Sequence, residues 1–593
     1  MTMNGQNPAT RDPVIIVGAG PAGCTAALLL ADSGIPVTLL ERHTQPHPLP
    51  RAVHLDDEAA RILHRIAVSE GFLDRSRPGS GLRLLDAGHR VMAEFSRDHT
   101  PGVHGYPQAN MFHQPDLEEL LLARVEAHPL INFRRGAEVI GLDDDDAPGP
   151  LTTAPVRVHA RIAGELQTFT GRFVLGCDGA NSTIRELAGI TMDDLGFTER
   201  WLVVDIKAET GLDTWDGVEQ ICDPARAATF MQVTGDRYRW EFRLADGENE
   251  TALITPAALG ALLRPWTGRS DLDGMEIIRT ATYTFRARLA SRFQTGRVFL
   301  LGDAAHLTPP FIGQGLAAGL RDADNLAWKL ADVLTGRAGA GLLASYEAER
   351  RPHAKALIKK AVRVGWAMTG GQDWAAAIRR IALAAAVRSD SICQAMGSTA
   401  TPRLKAGALQ RPPRRMILSG IPSALRIGGL FPNPLVSAGD GPPVRLDTIL
   451  AGRTAVLTAR RPDPALTDFC RRRGLVLVRI SSTHAAGTTG RPGADPGAGW
   501  IDVHLASDGR PAGLRALAVL GSNPALTVVV RPDRVIAAVE PRCRLPRLPW
   551  PIPATAGRGS PVTAHPPAHP DHGRPFSSTR LERSSCSSRS RCS

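Results

Sequence analysis

Apolar positions first gather at Val14-Ile15-Ile16-Val17, four in a row without alternation, which predicts a strand buried on both faces. A helix follows over 21–33, packed by Ala26, Ala27, Leu28, Leu29 and Leu30, and then a second strand over 36–40. The chain therefore opens on a βαβ unit. Residues 115–128 read as an amphipathic helix with Pro115 in its first turn, where a missing N–H is harmless. The run Asp-Asp-Asp-Asp-Ala-Pro-Gly-Pro at 143–150 reads as a solvated turn. From about 195 to 285 the period shortens to two. There Tyr238, Trp240 and Phe242 fall on one face of a strand, and Arg237, Arg239, Glu241 and Arg243 on the other. This stretch predicts an antiparallel sheet inserted into the first domain. The chain returns to that domain by a strand at 297–301 and a long helix at 315–334, with helices continuing to about 395.

A Pro/Gly-rich stretch over 396–445 reads as a linker. Beyond it, strands at 455–458, 475–479, 526–530 and 535–539 and a helix at 464–473 predict a further module over 446–545. Its αβ order resembles a thioredoxin-like module, but it has no Cys-x-x-Cys, which argues against a dithiol role. Residues 546–593 are Pro, Ser, Arg and His without periodicity and are expected to be disordered. The expected domains are 12–194 and 286–395 for the first fold and 195–285 for the inserted sheet. No internal repeat is visible.

The net charge of +11 changes meaning once it is located. Residues 541–593 hold nine Arg against one Asp and one Glu, leaving the other 540 residues at only +4. A near-neutral body with a basic tail argues against a nucleic-acid surface on the fold. The eight cysteines (24, 177, 222, 393, 470, 543, 586 and 592) lack metal-ligand spacing and fit reduced thiols, so no metal site is expected. No apolar run approaches the roughly 18 residues that span a bilayer. The N-terminus does not read as a signal peptide, so the expected setting is cytoplasmic, without a membrane partner.

Three segments carry the chemistry. In the first, Gly18, Gly20 and Gly23 give G-x-G-x-x-G between strand and helix, with Ala19, Pro21 and Ala22 between them. The first glycine allows the tight turn, the second admits a pyrophosphate, and the third lets helix and strand pack closely. Glu41 ends the second strand, where a carboxylate binds ribose hydroxyls and repels a 2′-phosphate. The second segment is Val174-Leu175-Gly176-Cys177-Asp178-Gly179, whose Asp178-Gly179 pair is by itself a common turn. In the third, Gly302-Asp303 closes a strand, which suits Asp303 to a polyol hydroxyl. The run Pro309, Pro310, Gly313, Gln314 and Gly315 then feeds a helix whose N-terminal amides suit the electron-rich edge of a flavin. Together, in this order, the segments imply FAD. No second G-x-G-x-x-G unit is present, so the choice of nicotinamide cannot be read.

These segments, GAGPAG, Leu40-Glu41-Arg42, Pro50 through Glu58, CDGANSTIR (177–185), GDAAH and PPFIGQGLAAGLRDADNLAWKL (309–330), resemble the class A flavoprotein aromatic hydroxylases. That group contains para-hydroxybenzoate hydroxylase and phenol hydroxylase, and within it the 3-(3-hydroxyphenyl)propionate hydroxylases are the most similar. The resemblance covers about residues 12–365 well and 430–540 loosely. It implies an α/β fold: a Rossmann-like FAD-binding domain with an inserted antiparallel substrate sheet and a C-terminal thioredoxin-like module. It also implies non-covalent FAD, NADH or NADPH, O2, and a small phenol hydroxylated through a flavin C4a-hydroperoxide. A homodimer is compatible with it. By residue, it places Glu41 on the adenosine ribose, Arg51 by the FAD phosphate or ribose, and Gln114 along the cofactor, with Arg42 a cofactor contact beside Glu41. Asp178 is carried as a further contact, Asp303 on the ribityl chain, and Pro309 to Gly315 along the isoalloxazine.

Substrate contacts stay open at this point. Tyr238, Trp240 and Phe242 either line an aromatic pocket or pack the core of the sheet. His54 either takes the phenol proton, since an unperturbed imidazole titrates near neutrality, or is structural. Two rival functions are a tailoring or drug-inactivating monooxygenase of polycyclic compounds and a flavin-binding protein without turnover. A flavin halogenase is disfavoured, since no Trp-x-Trp-x-Ile-Pro is present.

Overall fold

The computed structural model describes residues 12–46, 50–144, 155–223, 225–369, 401–405, 409–410, 425–438, 441–481, 499–505, 526–541 and 548. The Asp-rich run beyond Asp144, the helices expected past Thr369 and the tail 546–593 (bar Leu548) lie outside these residues.

At the centre of the first domain, Val14–Val17 is fully buried and pairs in parallel with Phe173–Gly176 on one side and Val37–Glu41 on the other. Val298–Leu300 continues the sheet in parallel beyond Phe173–Gly176, and Ile131–Arg135 beyond Val37–Glu41. The register sets Leu40, Val17, Gly176 and Leu300 side by side. Each is followed at once by a segment singled out above, so four stretches far apart in sequence leave the sheet at one level. In an open parallel sheet this carboxyl edge is where ligands bind. Helices Pro21–Asp32 and Gly315–Leu334 cover one another beside it, close enough that a Cβ on Gly319 would lie 3.2 Å from that of Ala22.

The inserted sheet is larger than its sequence signature. Met192–Ala208, Val218–Ile221, Ala228–Gln232, Arg237–Arg243 and Met275–Ala290 are joined by Gly81–Leu85, Val91–Ser96 and His306–Leu307. The pair from 81–96 comes from within the expected first domain, and it joins through a parallel pairing of Val218–Ile221 with Gly81–Leu85. On the outer face, Leu202, Val204 and Ile206 pack with Phe230, Tyr238, Trp240 and Phe242 beneath helix Pro256–Thr267, which contributes Leu259 and Leu263. The inner face turns to the nucleotide-binding domain.

The C-terminal module holds a seven-stranded sheet in which Ala455–Thr458, Val476–Ser481 and Ile501–Leu505 run parallel and Leu526–Val530 and Ile536–Pro541 are antiparallel. Ile501–Leu505 adds a strand that was not expected, although its apolar and polar residues alternate. Leu425, Phe431 and Val436 sit in the module's core, so the expected linker 396–445 is corrected: its second half is part of the module. The module is docked by buried charges. Arg61 donates to Asp447 at 2.6 and 2.8 Å and to the Phe431 carbonyl at 2.6 Å. Arg531 joins Glu349 and Asp533. No helix among the described residues is long and apolar enough to cross a membrane.

Candidate active site

Gly18 adopts φ +101°, and a Cβ there would lie 2.4 Å from the Cys177 carbonyl oxygen. A Cβ on Gly23 would lie 1.9 Å from the Gly18 carbonyl oxygen, so helix Pro21–Asp32 begins tight against its strand. Gly20 is the contrast: nothing stands within 4 Å of its missing side chain. An open groove thus runs before the first turn, where unpaired N–H groups and the helix dipole favour a diphosphate. This cradle fits FAD.

Glu41 accepts from the Ala19 N–H at 2.8 Å and from the His43 N–H at 2.9 Å, which fixes its carboxylate beside the glycine turn. Arg42 lies at the surface, its Nε 3.1 Å from His43. Asp303 opens to solvent in the cleft below strand Val298–Leu300. The surrounding protein raises its pKa above the ordinary carboxylate value, against the opposing pull of His306 and Arg51. The loop is set by a residue that the motifs did not mark. Asp322, fully buried, accepts from Gly302 N–H at 3.0 Å, from His306 at 2.7 Å and from Arg350 at 2.7 Å. Those partners hold its pKa down at about 2, although burial alone raises it. His306 is thereby a structural partner of Asp322.

The segment carrying Arg51 is clamped on both sides. Gln114 Oε1 accepts from the N–H groups of Arg51 (3.0 Å) and Ala52 (2.6 Å). From the inserted sheet, Arg239 donates to the carbonyls of Pro50 (2.8 Å) and Arg51 (2.7 Å) while held by Asp205 at 2.6 and 3.0 Å. Gln114 therefore positions the cofactor loop through the backbone. Arg239 had a sequence signal, since it lies on the charged side of an alternating strand, but alternation does not tell which side faces a ligand.

Along the third segment, Pro310–Ile312 forms one 3₁₀ turn, Gly313 is left-handed, and Gln314 precedes helix Gly315–Leu334. The Gln314 side chain is buried and accepts from Arg321 at 3.0 Å, and Arg321 also holds Asp56 and Glu58. This leaves the backbone of 309–315, with the N-terminus of the helix, to meet a flavin. His54 Nδ1 lies 3.4 Å from the Gly313 carbonyl oxygen, beneath the same loop.

The structure bears on three further candidates. The His54 imidazole does not sit near neutrality: burial, then Arg97, pushes its pKa down to about 4, so it is a weak base. Asp178 accepts from the Ser182 hydroxyl and from the Ile184 N–H at the start of helix Thr183–Leu187, and, like Glu41, keeps a second acceptor site on each carboxylate oxygen. Tyr238, Trp240 and Phe242, each no more than 2% exposed, belong to the outer core and face away from the cofactor loops, because the inner side of their strand carries Arg239.

Residues 11–361 match the family model described as FAD binding domain. The chain is 34% identical over 556 residues to a 3-(3-hydroxy-phenyl)propionate/3-hydroxycinnamic acid hydroxylase 2 of Burkholderia vietnamiensis, covering 89% of this chain and 93% of that one. It is 35% identical over 375 residues to a probable NADH-specific resorcinol 4-hydroxylase of Rhodococcus jostii, covering 63% and 69%. Among solved structures, the flavin-dependent monooxygenase PieE with FAD and substrate superposes at TM-score 0.72 with 22% identity, over 90% of this chain and 97% of that one. Aklavinone-11 hydroxylase with FAD and aklavinone does so at 0.70 with 23% identity, over 92% and 97%. At these identities the structural likeness speaks for the fold.

Proposed function

The chain belongs to the FAD-binding aromatic hydroxylases, and on that premise we propose that it hydroxylates a small phenol of the 3-hydroxyphenylpropionate or resorcinol type, using NADH and O2. One observation carries the reading: the glycine turn and the Asp303 loop leave one sheet edge together, helix Gly315–Leu334 ties Pro309–Gly315 to that loop through Asp322, and the inserted sheet is clamped to the Arg51 segment. When bound, FAD supplies the hydride acceptance and oxygen activation that no side chain can perform.

The chain's own residues do the rest. Gly18, Gly20 and Gly23 bind the diphosphate end, Glu41 binds the adenosine ribose, and Asp303 binds the ribityl chain. Gln114 and Arg239 fix the Arg51 segment along the cofactor. The backbone of Pro309–Gly315 orients the ring edge and stabilises negative charge there. The inserted sheet's inner face excludes water from the reacting carbon, which matters because water diverts the reactive oxygen species. We read the C-terminal module as thioredoxin-like in origin, with a docking role in place of dithiol chemistry.

The test is consumption of NADH and of NADPH by the FAD-loaded protein, with and without 3-(3-hydroxyphenyl)propionate, resorcinol and a panel of polycyclic phenols. The reading predicts that a monocyclic phenol stimulates NADH oxidation and yields a product heavier by one oxygen. Stimulation by polycyclic phenols alone would move the function to tailoring chemistry. Absence of any stimulation would leave a flavin-binding protein without turnover.

A further inference from the structure

The middle of the inserted sheet's inner face carries a polar row that neither the fold nor the cofactor requires. Cross-strand pairing arranges this face in three rows. Tyr283, Trp201 and Arg243 form one outer row, and Arg279, Asp205, Arg239 and Met231 the other. Between them run Ala281, Val203, Glu241, Thr229 and Gln220.

Both outer rows touch the cofactor loops. Arg239 reaches the carbonyls of Pro50 and Arg51, and Trp201 packs edge-on against Phe311 with ring centroids 5.6 Å apart. Those two loops meet each other where His54 lies against Gly313. The middle row therefore spans the space above that meeting point, where a ring to be hydroxylated must sit beside the flavin.

Its polar members are largely shielded from solvent. Glu241, Thr229 and Gln220 are 9%, 5% and 4% exposed. Among the described residues, Gln220 Oε1 has no hydrogen-bond partner. Among the described residues no group donates a hydrogen bond to the Glu241 carboxylate, whose closest cation is Arg239 Nη1 at 3.9 Å. The Glu241 side chain keeps 11% of its surface exposed, so a carboxylate without a donor inside the chain stays accessible to a partner that arrives with the substrate. The charged groups around it are Arg239 on its own strand, Asp205 on the next and Arg279 beyond that. Burial, reinforced by Asp205 and opposed by the two arginines, raises its pKa, which makes it a better proton acceptor than an ordinary carboxylate.

Resting on the phenol-hydroxylase reading, we propose that Glu241 binds the substrate's phenolic hydroxyl and takes its proton. The phenol O–H bond breaks, an O–H bond forms on the carboxylate, and the electron pair stays on the phenolate oxygen. Delocalisation of that pair raises electron density at the ring carbon to be attacked. Thr229, one strand away at the ~4.8 Å spacing of a sheet, is placed for a second polar substituent on the ring. The strand that suggested an aromatic pocket thus contributes to the substrate site through its opposite face.

The test compares the FAD-loaded full chain with its Glu241→Gln and Glu241→Asp variants, using resorcinol and 3-(3-hydroxyphenyl)propionate as probes. Ultraviolet difference spectra at pH 7 read whether the bound probe is phenolate, and steady-state rates are taken from pH 6 to 10. The parent is expected to show the phenolate band. Glu241→Gln is expected to keep its FAD content and to bind the probe within about threefold of the parent, since binding and proton removal are separable. It should lose the band and about a hundredfold or more in kcat at pH 7, recovering rate as pH approaches the phenol's own pKa of about 10. A phenolate band and parent kcat in Glu241→Gln overturn the assignment. Should that variant fail to fold, Glu241→Asp decides: a carboxylate drawn back by one methylene must lower kcat at least about tenfold with FAD retained, and a parent-like rate overturns the assignment. If the parent itself neither binds nor turns over either phenol, the phenol-hydroxylase reading falls and takes this assignment with it.

Discussion

Asp303 and His54 carry different expectations. On the placement proposed above, Asp303→Ala removes a charge-assisted hydrogen bond to a ribityl hydroxyl, worth about 1.5–3 kcal/mol, or roughly ten- to a hundredfold in FAD affinity. Equilibrium titration of the apoprotein with FAD checks this, and unchanged affinity would misplace the ribityl chain. For His54, a pKa pushed down to about 4 means the ring is neutral across the working range. The rate profile of the parent should therefore show no limb from His54 between pH 6 and 8. His54→Asn should alter kcat less than Glu241→Gln does, a comparison that measures which residue takes the proton. A limb near neutrality that vanishes in His54→Asn would restore the imidazole as the base.

Strand Arg237–Arg243 shows where element-level reading stops. Its period of two was plain in the sequence, and both faces were assigned the correct residues. Which face met the cofactor depended on pairing with Met192–Ala208 and on the loop at 50–52, contacts distant in sequence. Its three aromatic side chains suited a ring-binding surface or a core equally well by pattern, and they serve the core beneath Pro256–Thr267. Arg239, read only as part of a polar face, is 1% exposed and joins sheet to loop. Arg239→Lys keeps the charge but loses the planar fork that reaches Asp205 and two carbonyls together. It should weaken FAD retention by about tenfold with a modest fall in Tm, because the Arg51 segment loses one side of its clamp. Parent-level FAD affinity in this variant would show that Gln114 alone suffices. The glycine turn was legible for the opposite reason: its geometry is decided within ten residues. Leu425, Phe431 and Val436 were lost among prolines and glycines, whose composition outweighed three well-spaced apolar positions.

Across the whole molecule, buried charge pairs join the C-terminal module to the first domain. Asp447 holds Arg61 and Arg534, which keep its carboxyl far below the ordinary range, and Glu349 is held down likewise by Arg531 and Lys329. For a carboxylate whose folded pKa is depressed, the stabilisation is present above its unfolded pKa and lost as pH falls through the folded value. His54 and His104, both pushed down to about 4, act in the same direction, since their protonation favours the unfolded chain from about pH 6.5 downward. Between pH 6.5 and 4 the histidines' effect is offset by Asp57, Glu241 and Asp303, whose raised pKa values favour the folded chain there, so Tm should decline mainly as pH drops below about 4. A Tm that holds steady down to pH 3 would contradict these networks. Asp447→Asn, which leaves two buried arginines short of their counter-charge, should cost about 3–5 kcal/mol, read as a lower Tm with the flavin site still occupied at low temperature.

The central claim is that these loops and this sheet face hold FAD and a phenol together for oxygen insertion. Its most direct test is one turnover experiment under isotopically labelled O2, with FAD-loaded protein, NADH and either 3-(3-hydroxyphenyl)propionate or resorcinol, read by the mass of the product. The account predicts a ring-hydroxylated product whose new oxygen carries the label, formed in step with NADH consumed. NADH oxidation that ends only in hydrogen peroxide, with both phenols recovered unchanged, would contradict it.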